Sequence, residues 1–282
     1  MRTINTGKVA AAVERLYGEC NRGIGKKIYE LLKRAALTEK GKLQKYIYSL
    51  MLENISIAKK DGVPLCQDTG FPVVFIDLGQ GVRLTGGSIQ AAVNTGLARA
   101  VKKYSLRESV INDPVVRNPL EKVKDWGAVH IEIVPGNKVK IALLVKGAGS
   151  ENKSVACMLT PGGNIKEKVG KYVVDAVRFA GSSACPPVVV GVGLGGCLDT
   201  AAVLSKKALL RKVGSKNSKS VYAIMEKNII REINKSGIGV HGFGGKVTAL
   251  AVFIEQKPCH IASLPVAVSI NCYLHRTGEV VL

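Results

Sequence analysis

Apolar residues recur at helical spacing through the first sixty positions: Val9, Val13 and Leu16, then Ile28, Leu31 and Leu32, continuing over Leu43–Ala58. That spacing lines one face of a helix, so residues 1–60 are read as a helical layer. Asp61-Gly62-Val63-Pro64 breaks the pattern. Phe71–Leu78 is rich in β-formers and stops at Gly79-Gln80-Gly81, which predicts a strand and a turn. Ser88 can cap a helix running to about Tyr104. Ser105–Asp125, with Asn112-Asp113-Pro114 and Asn118-Pro119, reads as an extended loop. Ala128–Val134 and Lys138–Lys146, divided by Pro135-Gly136-Asn137, predict a β-hairpin. A glycine-rich loop at Gly147–Ser150 follows, then a helix over Ile165–Ala180 and a buried strand at Val188–Val190. Helices are expected over Cys197–Arg211 and Val221–Lys235, and strands over Val247–Ile254 and Ile261–Ile270. No internal repeat or flexible linker interrupts the series. The expected fold is mixed α/β: a helical N-terminal layer, about 1–60, packed on mixed β-sheets in one large domain spanning 1–282.

Composition narrows the class. At 282 residues and 46% hydrophobic, the chain can bury a sizeable core and is too apolar for intrinsic disorder. The longest apolar runs, around Val188–Gly196 and Val247–Ile254, fall short of the roughly 20 residues that span a bilayer. Met1-Arg2-Thr3-Ile4-Asn5 lacks the apolar stretch of a secretory signal, and seven cysteines are an odd number. Reduced thiols in the cytoplasm are therefore expected rather than a disulfide framework.

Charge opens three readings. With 41 basic and 21 acidic residues, the net charge is +20. Nucleic acid, an acidic partner subunit and an anionic substrate would each suit such a field. The clearest basic stretch, Lys206–Lys219, contains Lys206, Lys207, Arg211, Lys212, Lys216 and Lys219 without an acid. It has no interleaved aromatics for base stacking, and no zinc-finger spacing or RNA-recognition signature accompanies it. A solvated helix end is the plainer reading, which argues against nucleic acid.

Two glycine motifs invite nucleotide readings and fail. Gly191, Gly193 and Gly196 satisfy GxGxxG between a strand and a helix, but the acid required about 20 residues on is replaced by Lys206, Lys207, Arg211 and Lys212. Gly242-Phe243-Gly244-Gly245-Lys246 lacks the first glycine and the hydroxyl residue of a P-loop. Close backbone packing explains those glycines better, and His241 beside them is read as structural or exposed.

Three cysteine-bearing segments carry denser chemistry. Pro64-Leu65-Cys66-Gln67-Asp68-Thr69-Gly70 sets thiol, amide, carboxylate and hydroxyl in one loop between a helix and a strand. Ser182-Ser183-Ala184-Cys185-Pro186-Pro187 leads into a buried strand, its approach stiffened by the two prolines. Cys259-His260 and Cys272 flank a β-segment near the C-terminus. Converged thiolates would suit zinc or an iron–sulfur cluster. Separations of 119 residues (66 to 185) and 87 (185 to 272) leave that choice open.

Taken together, PLCQDTG at 64–70, KGAGSENKS at 146–154, ACPPVVVGVGLGG at 184–196, GFGGKVTALAV at 242–252 and SLPVAVSINC at 263–272 resemble the class I fumarase family. The likeness extends over nearly the whole chain and is greatest to the α subunit of the two-subunit form, a close relative of the α subunit of L-tartrate dehydratase. The resemblance implies a single domain of the iron–sulfur hydro-lyase α (N-terminal) type. It implies a [4Fe–4S] cluster held by Cys66, Cys185 and Cys272, with the fourth iron open as a Lewis acid. By position, Asp68 and His260 are implied as catalytic residues, and Gln67, Arg107 and Gly149 as contacts to a dicarboxylate. The chain departs from the family at Ala148, where a third glycine is usual, and at Ile261, where glycine commonly follows the histidine. Cys157, Cys197 and Cys259 match no ligand position and are read as core residues. The implied reaction is reversible dehydration of S-malate to fumarate, completed by a separate β subunit that carries the base, in a complex of two α and two β chains. L-Tartrate dehydration, and a basic nucleic-acid-binding protein with structural cysteines, are the competing readings.

Overall fold

The computed structural model describes residues 1–119 and 121–282. Residue 120, inside the loop expected over 105–125, lies outside the described residues. The chain divides into two compact units, each assembled from separate segments.

The first unit comprises Met1–Ile24, Ile55–Lys146 and Arg276–Leu282. It opens with a strand that the helical pattern did not predict, β1 (Arg2–Asn5), followed by α1 (Thr6–Arg22). Asn5 caps α1 by accepting from the Gly7 N–H. The helix buries Val9, Val13, Leu16, Tyr17 and Cys20, one face at helical spacing. Beyond the CQDTG loop come β2 (Phe71–Gly79), β3 (Val82–Thr85) and α4 (Ile89–Lys103). Ser88 caps α4 as expected, through the Ala91 N–H. α1 and α4 approach closely at Gly96, where a Cβ would stand 2.4 Å from the Ala10 carbonyl oxygen.

β4 (Ala128–Val134) and β5 (Val139–Lys146) form where strands were expected, but they are not a hairpin. The sheet order is β10-β5-β2-β4, with β10 spanning Thr277–Val281. β2 lies between the two, parallel to β4 and antiparallel to β5. The reason is burial: β2 is apolar on both faces through Pro72–Ile76 and takes a hydrogen-bonded neighbour on each edge. The Gly136 carbonyl then accepts from Gly81 N–H, so the presumed hairpin turn packs on the β2–β3 turn.

The second unit comprises Gly25–Asn54 and Gly147–His275. Its first segment contains α2 (Lys26–Thr38) and most of α3 (Lys42–Asp61). The second begins with the short turn α5 (Ala148–Glu151), where only a loop was expected, and β6 (Val155–Leu159), which was not foreseen. There follow α6 (Ile165–Ala180), β7 (Val188–Leu194), α7 (Leu198–Ala208), α8 (Ser220–Asn234), β8 (Ala249–Gln256) and β9 (Leu264–Asn271). The sheet order is β6-β9-β7-β8. Val188, Val190 and Val192 share a core with α6 and α8. The alternate positions Gly191 and Gly193 face α7, where added Cβ atoms would come within 2.1 Å of the Ser205 and 2.0 Å of the Ala201 carbonyl oxygens. The GxGxxG run thus serves close helix-on-strand packing.

Candidate active site

The CQDTG loop enters β2 in the first unit and is pinned from several sides. Leu65 N–H donates to the Asn21 carbonyl at 2.8 Å. The buried Arg276 donates through Nη1 to Asn21 Oδ1 and to the Asp68 carbonyl, each at 2.8 Å. The Tyr17 hydroxyl lies 3.1 Å from the Thr69 carbonyl oxygen and 3.0 Å from that of Gly70. Burial pushes this phenol up to about 12, against a weaker downward pull from the Arg276 charge. Gly70 has φ of 74°, and a Cβ there would stand 2.6 Å from the Val145 side chain, so the turn admits glycine alone.

This scaffold orients the predicted groups. Asp68 Oδ1 accepts from Gly70 N–H at 2.9 Å, which fixes the carboxylate's rotation. The half-buried Cys66 thiol donates to Gln67 Oε1 at 3.3 Å. Thr69 Oγ1 donates to the Arg107 carbonyl at 2.8 Å, tying a residue 38 positions away to the loop. Gln67 and Arg107 are exposed. Four predicted residues, Cys66, Gln67, Asp68 and Arg107, are therefore gathered in this unit.

In the second unit, Cys185 and Cys272 lie at one end of the sheet. Cys185 precedes β7 and Cys272 follows β9, and Val189 pairs with Asn271 across these antiparallel strands. The Tyr273 N–H donates to the Cys185 carbonyl at 3.3 Å. Cys185 is exposed and left-handed, φ 51° and ψ 63°, a conformation uncommon outside glycine and typical of constrained sites. Gly149 joins this end: a Cβ there would stand 2.7 Å from the Ser183 carbonyl oxygen, two residues before Cys185.

His260 is not brought there. It precedes β9 and Cys272 follows it, so the length of the strand lies between them. His260 is exposed, and its Nδ1 accepts from Ala262 N–H at 3.1 Å, which leaves the proton on Nε2. The imidazole near the cysteines is instead His241. The His241 backbone N–H donates to the Pro186 carbonyl at 2.9 Å, and the ring centroid lies 5.2 Å from that of Tyr273. Only its position beside a glycine-rich run could have marked it in the sequence. Arg276 and Tyr17 left no local signal either.

Three cysteine assignments are corrected: Cys197 and Cys259 are exposed, and Cys157 is half-buried, so none of the three is a core residue. Cys197 follows the Gly195-Gly196 turn and Cys259 lies in the turn before β9, both at strand ends where the chain leaves the sheet. The basic run is also less free than its spacing suggests, since Lys206 pairs with Glu151 and Arg211 with Glu226.

Among the described residues, no three His, Cys, Asp or Glu side chains are grouped as ligands of a single metal ion. The donor set nonetheless fits an iron–sulfur group in kind, since thiolates are the soft ligands that its irons take. Cys66 in the first unit and Cys185 and Cys272 in the second are free thiols, each at least partly exposed. A buried His241 Nε2 and a buried Asn271 Oδ1 beside the Cys185–Cys272 end also find no partner among the described residues.

Residues 10–281 match the family described as Fumarate hydratase (Fumerase). The chain is 36% identical over 274 residues to a Methanocaldococcus jannaschii protein named "Putative L(+)-tartrate dehydratase subunit alpha", covering 95% of each chain. It is 31% identical over 260 residues to the L(+)-tartrate dehydratase subunit alpha of Escherichia coli K12, covering 90% of this chain and 84% of that one. No helix among the described residues is long and apolar enough to cross a membrane.

Proposed function

The chain belongs to the fumarate hydratase (Fumerase) family, and from that premise we propose that it is the α subunit of a [4Fe–4S] hydro-lyase acting on a 2-hydroxy-dicarboxylate. S-Malate, dehydrated reversibly to fumarate, is the substrate that the family's description favours. L-Tartrate, dehydrated to oxaloacetate, is the second reading, favoured by the names of the relatives. The observation that carries the proposal is the CQDTG loop, in which a thiol, an amide and an oriented carboxylate occur together, with the Arg107 carbonyl tethered to it by Thr69.

Cys66, Cys185 and Cys272 would hold the cluster, which when bound supplies a Lewis acid at the iron that lacks a cysteine. Asp68, its rotation fixed by Gly70 N–H, is the proton donor to the departing hydroxide. Arg107 grips a substrate carboxylate with its guanidinium fork, and Gln67 hydrogen-bonds the substrate. Gly149 offers its N–H to the second carboxylate. His260, at the far end of β9, is not among the groups that this reading places beside the cysteines. The base that takes the carbon-bound proton comes from a β subunit, which makes the working enzyme a complex of two α and two β chains.

Anaerobic reconstitution with iron and sulfide, read by visible absorption and electron paramagnetic resonance, tests the ligand set. A four-iron spectrum should form on the wild type and be lost in Cys66→Ser, Cys185→Ser and Cys272→Ser. A cluster indifferent to these changes would return the cysteines to a structural role. With the β subunit added, turnover of S-malate against L-tartrate decides the substrate. Enzyme-like turnover by the chain alone would end the split-site reading.

A further inference from the structure

His241 occupies an unusual position in the second unit. Its backbone is left-handed, with φ of 50°, a conformation uncommon outside glycine. The loop around it is held in place from behind. Glu39, buried, accepts from Lys246 N–H at 2.8 Å, and Gln44 Nε2 donates to the Phe243 carbonyl at 2.6 Å. Gly242 lies against Ser182, where a Cβ would approach its side chain to 2.5 Å. The loop therefore presses His241 between Pro186 and Tyr273, the residues that directly follow Cys185 and Cys272.

The ring's Nε2 is buried without a partner among the described residues. An unsatisfied buried polar atom is destabilising, so a constrained backbone that maintains one needs a reason. Asn271 Oδ1, buried and unpartnered immediately before Cys272, marks the same end of the sheet. Burial lowers the His241 imidazole below its ordinary range, so the ring is neutral near pH 7 and carries one N–H.

Building on the cluster reading, we infer that His241 is a positioning residue whose Nε2–H donates a hydrogen bond to a sulfur of the group bound by Cys185 and Cys272. Hydrogen bonds to cluster sulfurs raise the reduction potential by stabilising the more negative state. A donor without another partner among the described residues would thus tune the cluster and shield it, without touching substrate.

The test uses the full chain with its β subunit, reconstituted anaerobically as wild type, His241→Leu and His241→Gln. Leucine and glutamine bear the same backbone strain at φ of 50°, so comparing them isolates the donor. All three should bind equal iron and sulfide. His241→Leu should show a lower midpoint potential in an electron paramagnetic resonance titration and several-fold faster bleaching in air, and His241→Gln should recover both. An unchanged potential in His241→Leu, or a glutamine variant shifted as far as the leucine one, overturns the inference. If His241→Leu loses its circular dichroism, His241→Gly removes the donor while relieving the backbone, and the same two outcomes apply. A wild type that binds no cluster overturns the ligand reading itself, a result separable from the other two because it appears before any substitution is made.

Discussion

Tyr17 shows how one side chain of the first unit supports a loop far along the sequence. Its hydroxyl faces two consecutive carbonyls of the CQDTG loop, and its ring lies within the α1 core. Tyr17→Phe removes the hydroxyl from both carbonyls and should cost about 1–3 kcal/mol, measured by urea denaturation. The same burial predicts an alkaline limit. Tyr17 is raised from 10.0 to about 12, and burial raises Cys20, on the same helix, from 9.0 to about 12. Above the lower values the unfolded chain releases protons that the folded chain keeps, so stability falls as pH rises. Stability should therefore be level below about pH 9 and decline from there to about pH 12. Tyr17→Phe should flatten the part of that decline above pH 10, and a slope unaltered by the substitution would assign the limit to other groups.

Between elements, the tightest contact is α7 on β7. A methyl on Gly193 would stand 2.0 Å from the Ala201 carbonyl oxygen and 2.6 Å from Ser205 N, both backbone atoms that cannot yield. Gly193→Ala should destabilise by roughly 1–3 kcal/mol, the cost of overpacking. Gly170, inside α6, would meet only Ile229 at 3.7 Å, so Gly170→Ala should stabilise by about 0.5–1 kcal/mol through helix propensity. Thermal midpoints of the two variants should move in opposite directions. These glycines also show where the sequence could be read. α4 and α6 were legible almost to the residue, because both are amphipathic runs and Ser88 caps the first. β1, β3, β6 and β10 were not, being only four or five residues long and lacking a full alternating pattern. The 128–146 hairpin failed for a different reason: local pattern cannot reveal that a strand from 71–79 inserts between its arms. The site divides similarly. Cys66, Gln67 and Asp68 adjoin in sequence and stood out as a polar cluster, whereas Arg276 acts from more than 200 residues away through two hydrogen bonds. His241 stands among close-packed glycines in sequence, so nothing local separates it from a structural or exposed histidine.

At the scale of the whole molecule, the net charge of +20 needs a use that the structure does not assign to one strip. Lys206 and Arg211, which anchor the densest basic run, are already paired with Glu151 and Glu226. The densest basic run is thereby partly neutralised, which leaves the excess of 20 positive charges to act as a field. Such a field acts at range, so its signature is kinetic rather than structural. The Debye length falls from about 30 Å at 0.01 M salt to about 3 Å at 1 M, which removes steering while leaving short contacts in place. If the substrate is a dianion, kcat/KM of the α/β complex should fall steeply over that range with kcat almost constant, because encounter is screened while the bound geometry is not. A labelled DNA duplex should meanwhile show no gel shift at about 0.15 M salt, where a true nucleic-acid binder retains specific affinity. A flat kcat/KM with salt-sensitive α/β association would move the charge to the subunit interface. Tight duplex binding would instead restore the reading that the paired lysine and arginine argue against.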